Sequence, residues 1–195
     1  MKKQKSIPSE FAKTTSALFG YSVAPVFLSL ILLFMPVNRW LRLGLGIAFL
    51  LIAIAFLFNG GANLGKYAHK HILKANSDQD DKHAKFMAWQ PSKGIWLTIP
   101  YLCIVMTFLL LSMISGPFGG VFRILIYITF TPTALFAVAT VGVDYYMQIT
   151  WAGFAMFFVT AIVYVTIYYL GYILKGLRLR RNDADMLREI KSFDF

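Results

Sequence analysis

Charge is what this chain has least of. Only 14% of its 195 residues are Asp, Glu, Lys or Arg, where soluble domains carry roughly 25%. A water-soluble globule of this composition would lack the polar groups to cover its surface. Acids are scarcest, 9 against 19 Lys and Arg, with 3 histidines and 1 cysteine. Cys103 alone excludes an internal disulfide and any multi-cysteine metal site, and reads as a small packing residue. A disordered chain and a coiled coil are excluded by composition as well. What abounds is apolar: 58% hydrophobic residues and a mean hydropathy of +0.63. The sequence predicts an all-α protein, a polytopic helical membrane bundle.

A helix needs about 20 mostly apolar residues to cross the hydrocarbon. Five runs approach that length, at 17–35, 43–64, 95–115, 124–142 and 149–174, and none contains a charged residue. The first is too long for a signal-peptide core and is expected to be a retained span. Trp40, Trp96 and Trp151 lie at run ends and Trp89 just before the third, where an indole suits the boundary between tails and water. Residues 1–174 are expected to form the membrane domain, with a cytoplasmic loop at 65–94. Residues 175–195 read as a basic tail with a short amphipathic helix, N-capped by Asn182 and carrying Met186, Leu187 and Ile190.

Basic residues near span ends favour the cytoplasmic side. If all five runs cross, the balance is 10 inside against 9 outside. If the fourth does not cross, it becomes 16 against 3, with both termini in the cytoplasm. The fourth run is also interrupted at Thr131-Pro132-Thr133, where proline removes a donor and turns the preceding residue from helical angles. Two readings stay open: a re-entrant pair of half-helices, giving four full spans, or one kinked span, giving five.

Several constellations invite chemistry. Gly60-Gly61-Ala62-Asn63-Leu64-Gly65-Lys66 fits a phosphate-cradling loop, but Tyr67 stands where a magnesium-binding hydroxyl belongs, so a glycine-capped helix end is expected. His69, His71 and His83 with Asp78, Asp80 and Asp81 read as a solvated interfacial loop, and no metal or cofactor is expected. Arg123 and Asp144 flank the fourth run and either pair across its mouth or sit separately among headgroups. Asn59 and Asn63, one turn apart, either bond between helices or belong to the helix end. Tyr164, Tyr168 and Tyr172 place a hydroxyl on one face at every turn, for packing or for a cavity wall. Gly61-x-x-x-Gly65 and Gly44-x-x-x-Ala48 allow close helix approach.

Lys175, Arg178, Arg180 and Arg181 follow the last run immediately, and each gains about 1 kcal/mol near an anionic leaflet. An anionic bilayer surface is therefore the expected partner of the +10 chain, rather than nucleic acid. The nucleophile–base pairs and paired carboxylates of an enzyme are missing from the apolar runs. The expectation is a non-catalytic protein of a plasma (inner) membrane: a small-solute transporter or a transporter's membrane subunit. Thr129, Thr131, Pro132, Thr133, Tyr164, Tyr168, Asn59 and Asn63 are its candidate polar lining. Its small size calls for a homo-oligomer or a membrane-complex partner. The alternatives are an assembly subunit of a larger membrane complex and a lipid-modifying enzyme.

Overall fold

The computed structural model describes residues 7–23, 38–77, 88–130, 132–134 and 149–193, with side chains over 10–21, 38–72, 88–130, 132–134 and 149–184. Five helices account for nearly all of them: α1 (Ile7–Val23), α2 (Arg39–Ser77), α3 (Pro91–Ser112), α4 (Pro117–Thr129) and α5 (Trp151–Phe193). No strand occurs among the described residues. Helices α2, α3 and α5 are each long and apolar enough to cross a membrane, while α4 is a shorter apolar helix. Of the first apolar run, the part beyond Val23 lies outside the described residues.

Two helices dominate. With 39 and 43 residues, α2 and α5 are about 58 and 64 Å long, twice the roughly 30 Å of a hydrocarbon core. They run in the same direction, side by side. Leu50 and Met156 line one cavity, Gly61 lies on the Tyr168 carbonyl, Gly65 meets the Tyr172 backbone, and His69 reaches Asp183. This pairing overturns two expectations. Gly60, Gly61 and Gly65 do not end a helix, because α2 continues through them to Ser77. Nor does Asn182 start one, because α5 is unbroken from Trp151 to Phe193. The physical reason is shared. Each polar extension has the other to pack against, so tertiary contact prevails over local capping signals.

The glycines serve that contact. A Cβ on Gly61 would collide with the Tyr168 carbonyl, and one on Gly171 with the Phe58 carbonyl. Lipid tails are as apolar as side chains, so helices associate in a bilayer through such close backbone approach.

Helix α3 runs antiparallel to the pair, its Gly94 fitted beneath the rings of Tyr169 and Tyr172. Pro91 opens it at a position where the missing N–H costs nothing. At its far end Gly116, with φ of 93°, reverses the chain into α4, and Gly119 packs on the Ile114 carbonyl. Helix α1 is antiparallel to α2, with the Tyr21 ring against Gly60 and Glu10 lining the same pocket as Tyr67. The core between them is aromatic: Tyr101, Phe130, Phe157 and Tyr164 are fully buried. Phe19 meets Tyr101 edge-on at 4.8 Å, and Phe130 lies 5.7 Å from Tyr164.

One end of the bundle thus gathers the start of α1, the start of α3 and the polar halves of α2 and α5. We call it the basic end, since Lys13, Lys66, Lys70, Lys93 and Lys175 lie there. The opposite end holds the starts of α2 and α5 and the α3–α4 turn. Ser112, where α3 stops, and Trp151, where α5 starts, therefore lie at the same end of the bundle.

Candidate functional site

Two cavities flank the α2–α5 pair at different heights. The first, about 430 Å³, lies where the fourth apolar run is interrupted and is lined by Gly46, Leu50, Pro132, Thr133, Met156 and Thr160. The interruption itself differs from a sharp tip. Helix α4 closes with the Phe130 N–H on the Ile126 carbonyl, and the Ala134 N–H bonds the Phe130 carbonyl at 2.8 Å. Helical bonding therefore resumes across the proline, and Pro132–Thr133–Ala134 is a buried helical turn rather than the apex of a hairpin. Thr131 lies outside the described residues, as does the remainder of that run.

The threonine hydroxyls are spent inside the protein. Thr129 donates to the Leu125 carbonyl at 2.8 Å, Thr160 to Met156 at 2.8 Å, and Thr133 to the Thr160 hydroxyl at 3.1 Å. Back-bonding of this kind leaves methyl groups as the wall. Of the tyrosine stripe, Tyr164 is buried against Phe130, its hydroxyl without a hydrogen-bond partner among the described residues. The cavity is thus apolar, where the threonine and tyrosine pattern had pointed to a hydroxyl-lined passage.

The second cavity, about 390 Å³, opens at the basic end between α1, α2 and α5. Glu10, Lys13, Tyr21, Asn63, Tyr67 and Tyr168 line it. Glu10 is 4% exposed, and its carboxylate accepts from the Lys13 ammonium at 2.9 Å. Asn63 and Tyr168 belong to the sequence-derived set; Asn59 does not join them and is exposed on α2. The sequence reading missed Glu10, although it is the only acid before Asp78. A solitary acid beside the first apolar run was the available signal.

Comparison with known proteins finds no matching family model, no similar curated protein and no similar solved structure. Function is read from these sites alone.

A third cluster ties the polar extensions together. Trp89 is 4% exposed and packs with Ala68 and Tyr172, so it is a wedge rather than the boundary residue its position implied. Its backbone N–H bonds the Ala68 carbonyl at 3.1 Å, and Gly176 leaves the space its indole fills. Tyr172 donates to the Gln90 carbonyl at 2.9 Å, while the Arg180 guanidinium stands 5.5 Å over the Trp89 ring. His69 Nε2 lies 2.9 Å from the Asp183 carboxylate. His71 instead meets the Tyr67 ring edge-on, and His83, Asp78, Asp80 and Asp81 lie outside the described residues.

By contrast Trp40, Trp96 and Trp151 are 77%, 63% and 75% exposed at helix ends, as an interfacial belt requires. Arg123 is buried at the end opposite the basic one, where it donates to the Gly116 carbonyl at 3.3 Å. Asp144, its expected partner, lies outside the described residues. In the tail Arg178, Arg180 and Arg181 are exposed and Lys175 is half-buried.

Proposed function

We propose that the chain is a non-catalytic integral membrane protein that binds or passes a small apolar solute, as a transporter or the membrane subunit of one. The observation that carries this reading is the 430 Å³ cavity at the proline interruption, its hydroxyls bonded to one another and to the backbone. Ligand cavities are typically apolar concavities of about 300–1,000 Å³. Ile47 and Val159, on the rim, are 50% and 55% exposed, so the opening faces the zone where lipid tails would lie. A solute that partitions into the bilayer would reach it sideways.

The same reading includes a topology. Four crossings with both termini in the cytoplasm are favoured by the shared direction of α2 and α5 and by the 16-to-3 basic balance. The fourth apolar run then enters and leaves by the external face. Lys175, Arg178, Arg180 and Arg181 would anchor the basic end against an anionic leaflet.

The direct test is a thermal-shift series with 1-hexanol to 1-decanol on the purified protein in detergent. Ala155 lines the cavity and is itself exposed, so Ala155→Phe fills space with little burden on folding. The alkanols should raise the melting temperature of the unmodified protein in a chain-length-dependent way. In Ala155→Phe the shift should disappear. Equal shifts in both proteins would remove the cavity from the account.

A further inference from the structure

Resting on the reading of the cavity at the proline interruption as a solute site, we propose that its solute is a fatty-acid carboxylate. The alkyl chain would fill the cavity, and Arg39 and Arg42 would receive the headgroup. Arg42 stands one helical turn before Gly46 and Arg39 about two turns before it. Both therefore share the face of α2 on which Gly46 and Leu50 line the cavity. Long side chains on a helix lean toward its N-terminus, which here is the water boundary marked by Trp40. The two guanidinium groups are thus carried to the headgroup layer, with the cavity beneath them. Arg39 is exposed there and Arg42 half-buried.

Depth and charge suit such a ligand. Ala155 lies one turn inside Trp151, and Leu50 lies about 15 Å inside Trp40 along α2, the thickness of one hydrocarbon leaflet. The cavity therefore occupies the level of a lipid tail. A single-chain amphiphile in that leaflet already stands with its head at the boundary and its tail inward. Entry past Ile47 and Val159 is then a lateral step that needs no reorientation. In the four-crossing topology Arg39 and Arg42 are two of the three basic residues left outside, where such residues are disfavoured. Two cations held against that preference, directly above a cavity for a tail, fit an anionic head. A guanidinium meets a carboxylate through two parallel hydrogen bonds. A neutral alcohol would leave both arginines unused, and an alkylammonium would be repelled.

The experiment is a thermal-shift titration of the full-length protein in nonionic detergent with decanoate, 1-decanol and decylammonium, at about pH 8, where a carboxylate is ionised. Each probe is titrated into the unmodified protein and into Arg39→Gln/Arg42→Gln, so that partition into micelles cancels. The double variant should need at least about tenfold more decanoate for half the shift, the loss of one charge-assisted contact. It should need the same amount of 1-decanol, and no more decylammonium than the unmodified protein. Should the double variant fail to fold, Arg39→Gln alone, at an exposed position, should still need about threefold more decanoate. Ala155→Phe should abolish the decanoate shift. Undiminished decanoate binding in a folded arginine variant, equal weakening of decanoate and 1-decanol, or a decanoate shift that survives Ala155→Phe would overturn the carboxylate site. A 1-decanol shift that persists while decanoate shows no dependence on the arginines removes this proposal and leaves the solute cavity standing. Absence of any shift in the unmodified protein removes both.

Discussion

At the scale of single residues, the α2–α5 contact turns on what glycine omits. Glycine in a helix interior costs about 0.5–1 kcal/mol relative to alanine, so its presence needs a compensating contact. Gly61 has one, since an added methyl would strike the Tyr168 carbonyl, which is backbone and cannot swing aside. Gly44, on the same helix, has nothing within 4 Å of its would-be Cβ. The two should respond with opposite signs. Gly61→Ala is expected to lose about 1–3 kcal/mol through overpacking, while Gly44→Ala is expected to gain up to about 1 kcal/mol. Thermal denaturation in detergent reads both. Equal destabilisation would mean that helix contact is not the reason for Gly61.

At the scale of elements, the limits of the sequence have the same origin. Periodic apolar runs and exposed tryptophans at helix ends were legible because they respond to the solvent, lipid or water, around each helix separately. Where α2 and α5 stop was not legible. Gly60-Gly61 and Asn182 are good local stop and start signals, yet a parallel neighbour lies alongside and the helices run through them. Trp89 misled in the same way: an indole's amphipathic shape says nothing of the slot left by Gly176, far along the chain. Nor could Asp183 be matched to His69, which is 114 residues away. That pair is expected to contribute modestly. Asp183 keeps 43% of its side chain exposed, and a single hydrogen bond of this kind contributes about 0.5–1.5 kcal/mol net. A double-mutant cycle with His69→Ala and Asp183→Ala should return a coupling in that range. It should also speed amide exchange in the 66–72 stretch of α2 more than in its apolar half. Strict additivity would show that Trp89 and Tyr172 hold the extensions together without it.

For the whole molecule, helix direction and charge constrain one another. Helices α2 and α5 point their basic ends the same way, and α3 between them points back. If all three cross, the chain must be on one face at both Ser115 and Thr150, whatever path 116–149 takes between them. A single crossing by the fourth run would need α5 to be antiparallel to α2, which would separate Gly61 from Tyr168 and His69 from Asp183. Charge argues independently for the same arrangement, since 6 basic residues in the tail would otherwise face outward. Cysteine labelling decides it, because Cys103 is the only native thiol and Cys103→Ser clears the background. Ser115→Cys and Thr150→Cys, introduced singly, should react from outside intact cells with a membrane-impermeant maleimide. Ser77→Cys should react only after the membrane is opened. Labelling of Thr150→Cys and Ser115→Cys from opposite faces would break the four-crossing topology, and the basic end would lose its assignment to the cytoplasm.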